Sequence, residues 1–336
     1  CVNRHACISA CPVKFCNDGS GDYVTINENM CIGCGNCIDA CTHEARFGMD
    51  DIEAFLADVR SGSEMVAIVA PAAAANFPGK YLKLNTWLKS LGIKAVFDVS
   101  FGAELTVKTY LDHVKRNKPK TVIAQPCPAI VTFIEMYQPE LIDHLAPADS
   151  PMLHTVKMIK TYYKKYANAK IAVISPCYAK KREFEETGFS GETYNVTYKS
   201  IDNFMRVNGV NLSAFVESDF DNPPAERGVL FSSPGGLLAT AERDMPGISS
   251  VTRKIEGVHA IYPYLKGFSE SVSSGTNPLL VDCLNCEMGC NGGPGTLNRG
   301  AHVDKIEGLV RDRNVKMQKK YAKGKIEKTS KNVDKV

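Results

Sequence analysis

The chain has 336 residues, 44% of them hydrophobic, and a formal net charge of +3. That length buries a sizeable core, enough for one large domain and a small one. The near-balanced charge offers no basic field for nucleic acid, and no apolar run approaches the roughly 18 residues of a membrane span.

Thirteen cysteines are the informative count, and they are unevenly placed. Cys1, Cys7, Cys11, Cys16, Cys31, Cys34, Cys37 and Cys41 crowd the head. Cys127, Cys177, Cys283, Cys286 and Cys290 follow much later. A disulfide-stapled secreted protein is usually shorter, with cysteines throughout. Metal ligation in a reducing cytoplasm is therefore the expectation. A chain opening on Cys1 reads as a fragment of a longer protein.

In chain order, residues 1–50 come first as a small module. Cys31-x2-Cys34-x2-Cys37-x3-Cys41 has the spacing of a bacterial 4Fe–4S ferredoxin run. Three close thiolates grip one cube and the fourth crosses to a neighbouring one. A zinc site or a disulfide knot needs no such rhythm. The preceding run is a damaged copy: Cys1, Cys7 and Cys11-Pro12 match, but Arg4 stands where the second cysteine belongs. Thr42 replaces the usual proline. The expected ligand sets are Cys31, Cys34, Cys37 and Cys11 on one cube, and Cys1, Cys7, Cys16 and Cys41 on the other, with Cys16 as the substitute. Two such clusters make a wire for electrons.

From residue 51 the texture becomes alternating strands and helices. β-rich runs fall at 65–70, 94–99, 121–124, 170–175, 229–232 and 279–282, with helical patterns at 103–116 and 152–166. This predicts an α/β fold of parallel or mixed sheets flanked by helices. Five of these strands run into Pro-, Gly- or Cys-bearing loops: Ala70-Pro71-Ala72, Gln125-Pro126-Cys127-Pro128, Ser175-Pro176-Cys177, Ser233-Pro234-Gly235-Gly236, and the segment holding Cys283, Cys286 and Cys290. Ligands of open α/β sheets bind beyond the carboxyl ends of strands, so one shared pocket is expected. A single Pro-Cys pair would read as a buried structural thiol; several beside a cysteine-rich head would not.

These residues resemble the catalytic domain of iron–iron hydrogenases. Gln125-Pro126-Cys127-Pro128, Pro176-Cys177-x2-Lys180-x2-Glu183 and Cys286-x3-Cys290-x-Gly292-Gly293 look like the family's three signature segments. The resemblance implies an H-cluster domain over 51–305, in which a 4Fe–4S cube is bridged to a two-iron unit carrying CO, cyanide and a dithiolate. It implies that Cys127, Cys177 and Cys286 bind the cube and that Cys290 bridges. Lys180 would donate to a cyanide ligand, Glu183 would pair with a backbone or basic partner, and Pro71 with Ser233, Pro234 and Gly235 would line the diatomic ligands. Only Cys283 is left unassigned. The implied activity is reversible hydrogen activation, H2 = 2 H+ + 2 e−. Implied partners are a redox protein such as ferredoxin and maturation proteins for the two-iron unit.

The sequence departs from the active members of that family where protons move. A cysteine that precedes the first cube ligand there is Pro126 here, which cannot donate a proton. Lys108-Thr109-Tyr110 stands where a carboxylate pair continues the relay. The pattern is similar to the sensory branch of the family, in which hydrogen is detected more than consumed. The alternatives are a metabolic enzyme with a rerouted proton path and a non-catalytic hydrogenase-like iron–sulfur protein. Glu287 is the preferred replacement relay, as a partly buried carboxylate between Cys286 and Cys290, with Glu242 and Cys283 as further candidates. Residues 306–336 read as a basic tail or cut linker without a core stripe. From residue 311 onward there are ten Lys or Arg against three acidic residues, and a signalling domain beyond is the corresponding expectation.

Overall fold

A computed structural model of the chain describes residues 1–298, 300–322 and 333. The head contributes an antiparallel pair, β1 (Asn17–Asp18) and β2 (Thr25–Ile26). The body contributes β3 (Met65–Val69), β4 (Val96–Asp98), β5 (Val122–Ile123), β6 (Lys170–Ser175), β7 (Thr193–Thr197), β8 (Thr252–Glu256) and β9 (Leu280–Leu284). They form two sheets, ordered β4-β3-β6-β7 and β5-β9-β8, and every body pairing is parallel. Ala67 of β3 faces Val96 on one side and Ala172 on the other; Val281 of β9 faces Ile123 and Arg253. The α/β class expected from sequence is therefore the class observed.

Burial explains the strands. β3 is the run Met-Val-Ala-Ile-Val, buried at every position, as a parallel strand covered on both faces must be. Side chains alternate in β5 and β9. Ile123, Val281 and Cys283 pack with Phe133, Tyr262 and Leu265, whereas Val122 and Leu280 pack with Val107, Tyr110 and Leu237 on the opposite face.

The helices start where side chains can cap them. Asp98 accepts from the Ser100 amide to open Val99–Asn117, and Ser150 accepts from the Leu153 amide to open Pro151–Tyr162, with proline in its first turn. These two helices meet at Gly102, where a Cβ would lie 2.1 Å from the Pro151 carbonyl oxygen.

Three expectations change. Residues 229–232 are not a strand but part of a 3-10 turn, Gly228–Leu230. The amides of Glu226 and Gly228 go to the buried Glu104 carboxylate, at 3.1 and 2.8 Å, so the turn is built on a side chain and not on a sheet. β7 and β8, which the sequence did not announce, are edge strands with polar sequences. The stretch read as a solvated tail is, as far as residue 322, the helix Val303–Ala322. It buries Ile306, Val310, Arg313, Asn314 and Tyr321. That stripe was disguised because Arg313 lies in it, bonded through Nη2 to Asp98 at 2.6 Å and through Nη1 to the Pro71 carbonyl at 3.3 Å. The remainder of 306–336, residue 333 apart, lies outside the described residues. Among those described, no helix is long and apolar enough to cross a membrane.

Candidate functional site

The carboxyl ends of both sheets open on one apolar cavity. Ala70, Pro71 and Val99 come from the β3 and β4 ends, Pro126 and Cys127 from β5, Pro176 and Cys177 from β6, and Leu284 to Cys286 from β9. Cys290 closes it from the following turn, and Lys180 is the only lysine, arginine or carboxylate residue among the described lining residues.

Each thiol is held by local structure. The Gln125 amide donates to the Tyr110 hydroxyl at 3.0 Å, and two residues on Cys127 ends the loop as the N-cap of Pro128–Tyr137. The Cys177 carbonyl takes bonds from Ser175 Oγ at 3.0 Å and Asn195 Nδ2 at 2.9 Å. Asn285 Nδ2 donates to Cys286 Sγ at 3.4 Å, while its carbonyl takes the Tyr262 hydroxyl at 2.6 Å. Cys290 follows Gly289, whose φ is +60° and whose absent Cβ would lie 2.5 Å from the Ser232 carbonyl; only glycine seats that turn here.

Burial dominates the electrostatics. It pushes the Cys177 thiol up to about 11 and Cys290 up to about 12, and raises Cys127 and Cys286 as well. Without an iron Lewis acid these thiols keep their protons; ligation to a metal removes them. Lys180 Nζ donates to the Pro126 carbonyl at 3.1 Å and to Glu183 at 2.5 Å, with side chains 6% and 10% exposed. Among the described residues no three Cys, His, Asp or Glu side chains are grouped to hold a single metal ion. Four soft thiol donors around an apolar cavity, with no carboxylate among its described lining residues, suit an iron–sulfur cluster.

Other expected site residues lie elsewhere. Glu287 is exposed, off the cavity wall, with its Cγ 3.0 Å from where a Cβ on Gly257 would stand. It is not the partly buried carboxylate expected, because its side chain faces outward from the Cys286 turn. Glu242 accepts the Gly247 and Ser249 amides at 2.8 and 3.0 Å, which ties up a surface loop. Cys283 is a fully buried residue of β9, donating to the Ala124 carbonyl at 3.4 Å. Ser233, Pro234 and Gly235 back the third cysteine segment and do not line the cavity. Ser233 Oγ takes a bond from Asn291 at 3.0 Å, Pro234 packs where Gly289 lacks a side chain, and Phe231 and Ser232 form the wall. Tyr262, Asn195 and Tyr110 are supports that sequence reasoning missed. Each is an ordinary core residue in its own element, so no local signal marked it.

The head docks on the same loops. Arg182 donates to the Cys31 carbonyl at 2.7 Å and the Tyr137 hydroxyl to the Met30 carbonyl at 2.8 Å. Cys34 reaches the cavity wall. Cys11, Cys31, Cys34 and Cys37 lie within electrostatic reach of one another. Cys1, Cys7 and Cys41 line a separate pocket with Arg46. Cys16 is absent from that pocket's wall. It is 2% exposed and packs with Cys11, Cys31 and Ile32, with Sγ 3.7 Å from the Asn27 carbonyl. The expectation that Cys16 completes the second set is corrected accordingly: the β1 turn folds it inward, away from Cys1, Cys7 and Cys41.

Comparison with known proteins agrees with this arrangement. Residues 63–294 match the family described as the iron only hydrogenase large subunit, C-terminal domain, and residues 24–47 match a 4Fe-4S binding domain. The NADP-reducing hydrogenase subunit HndD of Solidesulfovibrio fructosivorans is 24% identical over 331 residues, 81% of this chain and 57% of that protein, so this chain spans just over half its length. The cytosolic Fe-S cluster assembly factor NAR1 of Encephalitozoon cuniculi is 22% identical over 329 residues, covering 89% of this chain and 87% of that one. A solved FeFe-hydrogenase structure, from work on oxygen inactivation of the H cluster, superposes with a TM-score of 0.61 at 18% identity. It covers 82% of this chain and 94% of the other, a likeness of fold. With a signature domain matched over most of its length and a cysteine-lined cavity at its strand ends, the chain belongs to the iron-only hydrogenase large-subunit family and carries a 4Fe–4S motif in its head.

Proposed function

We propose that this protein activates hydrogen reversibly but slowly, as a hydrogen sensor. The observation that carries the reading is the pairing of four cavity thiols with a buried lysine, beside a residue that cannot pass protons. Cys127, Cys177 and Cys286 are assigned to a 4Fe–4S cube, and Cys290 to the bridge toward a two-iron unit. That unit, when bound, supplies the open iron position at which hydrogen is split. Lys180 spends two of its three N–H groups on Pro126 and Glu183, which leaves one for an anionic ligand such as cyanide. Glu183 holds the ammonium in place. The apolar wall of Pro71, Val99 and Phe231 excludes water.

Pro126 has neither thiol nor N–H. Tyr110, in the stretch where a carboxylate pair is expected, is fully buried and its hydroxyl receives the Gln125 amide. A positioned acid or base commonly contributes about 10²–10⁴-fold to a rate, so its absence slows turnover without emptying the site. Electrons leave through the head clusters to a redox partner such as ferredoxin, and maturation proteins insert the two-iron unit. Likeness to the NAR1 protein favours a second reading, a non-catalytic iron–sulfur protein. Lys180 weighs against it, because a cube alone, which the four cavity thiols suffice to hold, needs no buried ammonium.

Infrared spectroscopy after maturation tests the proposal. CO and cyanide bands are expected, and their absence would sink hydrogen activation in favour of the second reading. In the matured protein, Pro126→Cys should raise turnover by about 10²-fold or more; an unchanged rate would show that this position does not limit it.

A further inference from the structure

The loop Ala70-Pro71-Ala72 forms part of the cavity wall, and each of its three carbonyls is taken by a side chain. The Tyr198 hydroxyl donates to the Ala70 carbonyl at 2.8 Å, Arg313 Nη1 to the Pro71 carbonyl at 3.3 Å, and Asn76 Nδ2 to the Ala72 carbonyl at 2.8 Å. Asn76 belongs to the short helix Ala73–Asn76 that the loop itself starts. Tyr198 and Arg313 come from the distant helices Tyr198–Val207 and Val303–Ala322. Both are buried, and neither is among the described lining residues. The two oxygens are therefore directed away from the wall. Arg313 also lies outside residues 63–294, the stretch that matches the family.

The same treatment of carbonyls recurs around the cavity. Pro126 gives its oxygen to Lys180 at 3.1 Å, Pro176 to the Gly295 amide at 2.9 Å, and Ser232 to the Asn291 amide at 3.3 Å. Four thiols that lose their protons to iron make the occupant anionic. An inward carbonyl would set its negative end against those thiolates, in an apolar medium that screens it little. A donor behind the wall removes that conflict. For Arg313 the contribution is geometric: Asp98 balances its charge at 2.6 Å, so what it brings to the wall is orientation.

We propose that Tyr198 and Arg313 are positioning residues of the cavity: they hold the Ala70 and Pro71 carbonyls outward, so that Pro71 presents hydrocarbon and no acceptor oxygen to an anionic iron–sulfur occupant. Each acts through the loop and not on the occupant itself. The proposal rests on the assignment of such an occupant to this cavity, and not on its rate of turnover. Ala73 reports the hold, because its amide shares the Ala70 carbonyl at 3.1 Å. Tyr198→Phe removes one O–H and keeps the ring against Phe77, with centroids 5.7 Å apart. Tyr166→Phe is the matched control: its hydroxyl bonds the Lys94 carbonyl at 3.3 Å, and Tyr166 is not among the described lining residues.

The test compares Tyr198→Phe, Arg313→Lys and Tyr166→Phe with wild type, each as the full-length protein. Before the two-iron unit is inserted, hydrogen exchange at Ala73 should be roughly fivefold faster in Tyr198→Phe, the effect of one lost hydrogen bond. It should be unchanged in Tyr166→Phe. After maturation, the infrared CO bands should shift in Tyr198→Phe and keep their wild-type positions in Tyr166→Phe. Arg313→Lys keeps a cation for Asp98 but lacks the fork that reaches Pro71 as well. It should therefore be more stable than Arg313→Met and still shift the bands. Wild-type exchange in Tyr198→Phe, wild-type bands in Tyr198→Phe or Arg313→Lys, or an equal shift in Tyr166→Phe overturns the inference. Absence of CO bands from matured wild type is a separate failure, that of the hydrogen reading, and exchange at Ala73 then decides the inference alone.

Discussion

Arg313 shows how much one residue can carry. Its guanidinium is 5% exposed, paired with Asp98 and stacked near Tyr81 and Phe220, with ring centroids 5.0 and 5.9 Å away. Removing one partner of a buried ion pair leaves the other charge stranded, at a cost of roughly 3–5 kcal/mol. Arg313→Met should therefore lower the denaturant midpoint substantially, and adding Asp98→Asn should recover part of the loss. Equal stability of Arg313→Met and wild type in urea would refute this. Asp282 makes the opposite kind of contribution. Burial raises its carboxyl to about 6, although it accepts the Leu238 amide at 3.0 Å. An acid whose folded-state pKa exceeds its unfolded value near 3.8 holds its proton longer in the folded state. Stability is therefore lost as pH rises from about 4 to about 6, by on the order of 3 kcal/mol. Asp282→Asn should flatten that slope, as read from melting curves across the interval; an unchanged slope would refute the assignment.

At the scale of elements, the crossing of Val99–Asn117 with Pro151–Tyr162 depends on Gly102. A Cβ there would meet the Pro151 carbonyl at 2.1 Å and Thr155 Oγ1 at 2.3 Å, both rigidly held. Gly102→Ala must push the helices apart, and overpacking of this kind costs about 1–3 kcal/mol or more. Calorimetry should show a lowered melting temperature, and Gly308→Ala, a helical position with nothing within 4 Å of its added Cβ and no positive φ, is the control for space alone. The elements also show what could be read in advance. β3 and β6 are continuous apolar runs and were legible; β7 and β8 were not, because β8 is largely uncovered and β7 buries the polar Asn195 and Thr197 beside a single Val196. The 3-10 turn at Gly228–Leu230 looked like a strand because Val229 and Phe231 are buried for tertiary reasons, against the helix that bears Glu104.

For the molecule as a whole, the head is the fragile part. Its regular elements are four-residue helices and two-residue strands, and so few residues cannot build a core that stands alone. Metal binding free energy is folding free energy for such a unit. Removing iron by chelation under reducing conditions should therefore expose residues 1–50 to limited proteolysis while the sheets around β3 and β9 stay protected. Simultaneous digestion of both would contradict the separation.

Sequence alone determined which chemical groups this protein offers: thiols at ferredoxin spacing, and Pro-Cys loops at strand ends. It also determined the absence of a donor at Pro126, since proline has none in any conformation. Only the tertiary structure decided which cysteines meet. Cys16, Cys283 and Glu287 each lie close in sequence to candidate ligands, yet burial turns Cys16 and Cys283 into the core and leaves Glu287 facing solvent. Spacing specifies which groups are available; the direction in which a side chain points is settled by what its neighbours must bury.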